Sequence, residues 1–262
     1  MQMIFNSIKT MTRIHKPVLF IAALTLGVGA SFAQPNPKAT PESSEVWEPQ
    51  PKIVTPGDKP SDAPSDAIVL FDGKSLDNWV SIDGGAAKWP VKDGAFTVLP
   101  GGKDIKTKKE FSDFQLHVEW HSPAEVKPEQ TSQGRGNSGI FLQERYEVQV
   151  LDNYNNKTYA NGQASAIYKQ HIPMANACKK PGEWQYYDIY FTAPRFDKDG
   201  RVLLPAYVTV VHNGVLSLNH VAIWGPTEYI GWPVYKPYET GAIRLQDHGN
   251  PVAYRNIWIR EL

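Results

Sequence analysis

One cysteine, Cys178, in 262 residues excludes an intramolecular disulfide. Its Ala-Cys-Lys-Lys setting matches no nucleophile pattern, which leaves a buried or incidental thiol. An excess of either charge is also missing, because 27 basic and 27 acidic side chains cancel. Neither a nucleic acid nor an anionic membrane surface is therefore an expected partner. No internal repeat is present, which argues against a propeller. Long helical periodicity is lacking, as are a Gly-rich nucleotide loop opening a helix, a Gly-x-Ser-x-Gly elbow and an HExxH pair. Long apolar runs are confined to residues 17–29, which follow Lys9, Arg13 and Lys16 and precede Ser31 and Ala33. This is the pattern of a secretory signal cut between Ala33 and Gln34. The run is shorter than the roughly 20 residues that cross a bilayer, so no membrane span is expected after cleavage. Cleavage would remove three of the 27 basic residues and no acidic ones, leaving a charge of −3. The expected location is the periplasm or beyond the cell.

Residues 34–66 hold eight of the 21 prolines and few large apolar side chains, a composition that predicts a disordered linker. The remaining residues, 67–262, suffice for one domain with a sizeable core. Short runs rich in Val, Ile, Tyr, Phe and Trp, bounded by Gly, Pro, Asn or Asp, predict strands at 68–71, 95–99, 114–121, 139–141, 146–151, 184–192, 206–212, 215–218, 242–246 and 254–259. Asp93-Gly94 and Asn213-Gly214 are hairpin signals. The predicted fold is all-β, two packed sheets of jelly-roll type.

Three of these strands alternate apolar residues with groups suited to binding. Glu119 and His121 share a face of 114–121; Glu147 and Gln149 share one of 146–151; Arg244, Gln246 and His248 extend one face of the 242–246 strand. If the strands share a sheet, all seven residues meet on one concave surface. An ordinary solvated face also alternates, but Gln, His, Arg and Glu suit a site better than mere solubility. The loop Thr131-Ser-Gln-Gly-Arg-Gly-Asn-Ser-Gly139 delivers Arg135 and Asn137 to a strand. The loop 221–240 carries Trp224, Tyr229, Trp232, Tyr235 and Tyr238, rings that either stack on a sugar or fasten the loop. Glu119, Glu147, Asp152, His121 and His248 are candidates for acid and base work. His121, Glu147 and His248 are also types that hold a divalent metal, although no fixed ligand spacing supports one.

Seven motifs in order resemble the 3-keto-disaccharide hydrolase domain family: Leu70-Phe-Asp-Gly-Lys-Ser-Leu-Asp-Asn-Trp79, Asn137-Ser-Gly139, Tyr146-Glu-Val-Gln-Val-Leu-Asp152, Gly182-Glu-Trp184, Asn213-Gly214, Leu245-Gln-Asp-His-Gly249 and Arg255-Asn-Ile257. The resemblance covers residues 67–262. It implies a secreted bacterial protein with a concanavalin A-like sandwich that cleaves glycosides of sugars oxidised at C3. A C3 ketone acidifies the C2 proton, so a base can remove it while the C1 oxygen departs and water adds back. On that expectation Glu147 or His248 is the base, and Glu119 or Asp152 assists the leaving group. Arg135, Asn137, Gln149, Arg244 and Gln246 hold hydroxyls or the enolate oxygen. The stretch 161–168 resembles the family's short approach to a tyrosine, which adds Tyr168. The competing expectation is a non-catalytic carbohydrate-binding module on the same fold.

Overall fold

The alternation of large apolar and polar residues is realised as fifteen short strands in a computed structural model that describes residues 39–262. In chain order they are β1 (Ile68–Phe71), β2 (Trp79–Ser81), β3 (Val91–Lys92), β4 (Ala95–Thr97), β5 (Ile105–Phe111), β6 (Phe114–His121), β7 (Ser138–Leu142) and β8 (Tyr146–Val150). They continue as β9 (Gln185–Thr192), β10 (Arg195–Phe196), β11 (Val202–Leu204), β12 (Tyr207–His212), β13 (Val215–Ala222), β14 (Gly241–Leu245) and β15 (Ala253–Glu261). One sheet runs β13-β12-β9-β6-β15-β4-β3, with β1 also on β15. The other runs β2-β5-β14-β7-β8, and β10 with β11 forms a separate ribbon. All named pairs are antiparallel.

The two large sheets share one core. Leu116, Val118, Trp120, Tyr187, Ile189 and Phe191 come from the first; Ile140, Tyr146, Val148, Ile243 and Leu245 come from the second. Burying each such side chain stabilises by about 1.5–3 kcal/mol. Asp93-Gly94 and Asn213-Gly214 carry positive φ at both residues (52° and 78°, 51° and 79°), the backbone of a type I′ hairpin turn. The jelly-roll expectation agrees with this architecture. The strand at 105–111 was not foreseen, because Ile-Lys-Thr-Lys-Lys-Glu-Phe reads as a charged loop. It lies inside the second sheet, between β2 and β14, burying Ile105, Thr107 and Phe111.

The segment expected as linker also differs. The compact unit begins at Lys52 rather than at residue 67. The Ser61 carbonyl accepts hydrogen bonds from Asn256 Nδ2 (2.9 Å) and Trp258 Nε1 (3.0 Å). Both Asp66 oxygens face Arg260 Nε, at 2.9 and 2.8 Å. Proline-rich composition missed this because the contacts use backbone carbonyls and one carboxylate, not apolar bulk. Residues 39–51 fall in a separate unit, with a short 3-10 turn at Pro41–Ser44. The signal segment lies outside the described residues. Among the described residues no helix is long and apolar enough to cross a membrane.

A chain beginning at Ala67 should therefore be less stable to urea than one beginning at Lys52. The two hydrogen bonds into Ser61 alone are worth about 1 kcal/mol each. Equal midpoints would show that 52–66 contributes nothing to the folded unit.

Candidate active site

Strand register brings the site together on the outer face of the second sheet. Glu147 on β8 pairs with Phe141 on β7, which pairs with Arg244 on β14. Two residues along, Gln149 pairs with Gly139, and Gln246 N donates to the Gly139 carbonyl (3.0 Å). Because side chains two apart share a face, these rows form one surface, extended by Asn137 and His248. Gly139 supplies no side chain, so a hollow opens in the middle of the second row. A Cβ there would stand 2.6 Å from Glu147 Oε1 and 2.9 Å from Phe141 Cε2. The cleft over this hollow measures ≈ 370 Å³ and is lined by Asn137, Glu147, Gln149, Arg244, Gln246 and His248, with Tyr168, Gln133, Phe141, Thr227 and Tyr229 at its sides.

Its polar groups are held in place. Gln149 Nε2 donates to Asn137 Oδ1 (3.0 Å), and Asn137 Nδ2 donates to the Gln133 carbonyl (2.7 Å). The carbonyl oxygens of the Gln149 and Gln246 side chains are buried with no partner among the described residues, which leaves them free for a ligand's hydroxyls. Arg244 lies over the Phe141 ring, its Cζ 3.6 Å from the centroid, and is ion-paired with Asp104. Asp104 also accepts the Asp247 N–H at 2.8 Å. Glu147 as a whole is 5% exposed. Burial pushes its pKa up to about 8; the charge of Arg244 opposes the shift and that of Asp104 adds to it. It therefore carries a proton at neutral pH.

A loop, residues 223–240, covers the edge strand. Thr227 N donates to the Arg145 carbonyl (2.8 Å), and Thr227 Oγ1 accepts the Glu147 N–H (2.9 Å). The Tyr235 hydroxyl staples the loop's base, accepting from Ala206 N (2.9 Å) and donating to the Ile223 carbonyl (2.7 Å).

Five expected residues lie elsewhere. β6 belongs to the first sheet, so Glu119 and His121 do not face the cleft. Although burial pushes the Glu119 carboxyl upward, His117, Asn256 and Arg255 around it hold its pKa at about 2. It is a fixed anion, with Arg255 Nε at 2.6 Å, and cannot act as an acid at neutral pH. His121 bonds the Ser122 carbonyl (2.8 Å) and packs edge-on against Trp184. Asp152 and Arg135 pair with each other (2.6 Å), and Asp152 also caps Tyr154 N (3.0 Å). They brace the 131–138 loop and do not line the cleft. Trp224 lies in a neighbouring hollow that shares Tyr168 with the cleft. The proposed metal set of His121, Glu147 and His248 does not assemble, and no group of three or more His, Cys, Asp or Glu suited to a metal exists among the described residues. Cys178 is an inert thiol, its pKa pushed up to about 12 by burial.

Alternation could have disclosed Phe141, which stands two residues from Gly139 on the same face. Nothing local marks Asp104, Gln133, Thr227 or Tyr229, which chain reversal and the long loop bring in.

A two-sheet jelly roll with a polar cleft on one sheet is an architecture suited to carbohydrate, and comparison with known proteins agrees. The chain belongs to the 3-keto-α-glucoside-1,2-lyase-like domain family, which matches residues 66–260. It is similar to the 3-keto-disaccharide hydrolase of Bacteroides thetaiotaomicron, 28% identical over 243 residues, 74% of this chain and 78% of that one. A Parabacteroides distasonis crystal structure, provisionally named a glycosyl hydrolase, is 56% identical and superposes with a TM-score of 0.81, covering 85% of this chain and 97% of its own. A second protein of that organism and provisional name, 23% identical with a TM-score of 0.57 over 75% of this chain and 94% of that one, shares the fold.

The raised Glu147 pKa has a signed consequence for stability. The folded chain keeps a proton that the unfolded chain, with a carboxyl near 4.5, has released. Stability contributed by this group is therefore full below about 4.5, declines as pH rises to about 8, and is level above. Glu147→Gln should flatten that decline and leave the variant more stable than wild type at high pH. Parallel urea curves across that range would show that the carboxyl is not dry. Gly139→Ala should displace the carboxyl and flatten the same slope.

Proposed function

We propose that the protein is a secreted enzyme that cleaves 3-keto glycosides, with His248 as base at C2 and Glu147 as acid at the leaving oxygen. The observation that carries this reading is the meeting of a protonated carboxyl, an imidazole, a guanidinium and four amides on one cleft. The name of the Bacteroides relative supports the substrate class, and the basic, apolar and small-residue pattern of 1–33 supports secretion.

In the first half-reaction His248 takes the C2 proton and the electron pair becomes the enolate of the C3 ketone. Asn137, Gln149 and Gln246 orient the ring, while the Arg244 cation faces the charge that develops on oxygen. The enolate collapses as the C1–O bond breaks, and the departing oxygen takes the proton of Glu147. The product left in the cleft is an enone. In the second half-reaction water adds to C1 and gives a proton to Glu147, and His248 returns its proton to C2. Both groups end as they began, and the net change is hydrolysis.

The exposed aromatics of the 223–240 loop would also suit a binding module. A module, however, has no use for a carboxyl kept protonated in a dry hollow, where an unshifted acid would be ionised. The carboxylate pair of ordinary glycoside hydrolysis is also missing from the cleft, because Glu119 and Asp152 are engaged elsewhere.

Glu147→Gln and His248→Ala should each lower turnover of a 3-keto glucoside by roughly 10²–10⁴-fold while the variants stay folded. The wild-type rate should fall above about pH 8 as Glu147 ionises. Wild-type rates in both variants, or release only from unoxidised glucosides, would overturn the reading.

A further inference from the structure

The turn that joins β7 to β8 uses residues that its backbone disfavours. Arg145 N donates to the Leu142 carbonyl (3.0 Å), and the two residues inside, Gln143 and Glu144, have φ of 51° and 61°. This is the left-handed pair of a type I′ turn. The turns at 93–94 and 213–214 meet the same demand with Asp-Gly and Asn-Gly. Gln and Glu resist it, because at positive φ their Cβ crowds the backbone carbonyl oxygen. A strained backbone persists only where its surroundings hold it.

Both side chains supply that hold. Gln143 is fully buried, and its Nε2 donates to the Phe111 carbonyl (2.9 Å) and the Glu239 carbonyl (3.4 Å). Behind it β14 begins at Gly241, where a Cβ would stand 2.7 Å from the Gln143 carbonyl oxygen. The Glu144 carboxylate reaches Lys106 Nζ at 3.0 Å. Lys106 is the β5 partner of Arg244, so the two cations are cross-strand neighbours, and the carboxylate offsets a repulsion that would push Arg244 aside. The Glu144 carbonyl accepts a hydrogen bond from Arg244 Nη2 (3.3 Å). The guanidinium is therefore fixed by the Asp104 carboxylate, the Phe141 ring and this carbonyl. Of the three, the carbonyl alone depends on the left-handed turn. Relaxing Glu144 to negative φ would rotate the peptide plane that carries it and remove the contact.

We propose that the strained Gln143-Glu144 turn positions Arg244 for the reaction, keeping its guanidinium over Phe141 by means of the Glu144 carbonyl. Glu144 is a positioning residue: it does not line the cleft and acts through Arg244. The assignment rests on the reading of Arg244 as the cation that faces the enolate oxygen.

The test sets Glu144→Val beside Glu144→Gly in the full chain. Both lose the carboxylate, so a difference between them reports the backbone: valine is an outlier at positive φ, whereas glycine takes it freely. With methyl 3-keto-glucoside as substrate, Glu144→Val should lower kcat about 10–100-fold and leave KM within about twofold, since the lost interaction forms in the transition state. Glu144→Gly should recover most of that loss. A merely structural turn would lower the melting temperature of Glu144→Val without this split between kcat and KM. Wild-type kcat in Glu144→Val, or equal losses in both variants, would overturn the assignment. A second readout needs no substrate. Stacking on Phe141 should move the Arg244 Nε–H proton resonance upfield by ring current. That displacement should persist in Glu144→Gly and vanish in Glu144→Val; an unchanged resonance in Glu144→Val rejects the assignment. If the wild type cleaves no 3-keto glycoside, the cleavage reading fails, and the resonance alone decides whether the turn holds Arg244. Should Glu144→Val not fold, Glu144→Ala takes its place in both measurements.

Discussion

The proposed chemistry depends on keeping one carboxyl, that of Glu147, out of water. Glu147 stands on an edge strand, where water would ordinarily ionise it. Three features prevent this: the shared core behind β8, the Thr227 cover along its edge, and the empty place at Gly139 into which the carboxyl leans. A fourth feature concerns charge. Arg244 shares a row with Glu147, and a free guanidinium there would draw the proton off. Asp104 pairs with that charge, so the guanidinium can line the cleft while the carboxyl keeps its hydrogen.

Much of this was legible in the residues, and the rest was not for identifiable reasons. Period-two alternation located β6, β8 and β14, and it assigned the outward groups of each correctly. Alternation says which side of a strand a residue takes, not which sheet the strand joins. Glu119 and His121 therefore seemed equivalent to Glu147 and Gln149 until topology separated them. The hairpin dipeptides fixed two turns because their backbone demands are local. The strand β5 escaped because lysines mask a buried Ile105, Thr107 and Phe111. Asp104 escaped because its importance comes from Arg244 and Asp247, about 140 residues later in the chain.

The misassigned residues share a lesson. Glu119, Asp152 and Arg135 carry the right chemistry for catalysis, but each is saturated by partners supplied by the fold. Asp152 with Arg135 braces the loop that presents Asn137. Glu119 with Arg255 sits on the outside of the other sheet. Glu147 differs in being buried and unneutralised. Availability of a group, more than its type, separates the cleft from the scaffold.

The Tyr235 hydroxyl, which bridges Ala206 and Ile223, sets the terms on which this protein can diversify. It closes the base of the aromatic loop as a clasp, and the loop is tied down again on both sides of it, at Gln170, Glu147 and Lys169 before the clasp and at Arg145 and Glu110 after it. Replacements at the exposed tip, Ile230, Trp232 and Val234, can reshape the loop's rim while strand pairing keeps Glu147, Gly139 and Arg244 in their rows. The loop's rim and the strand-held cleft can thereby vary separately.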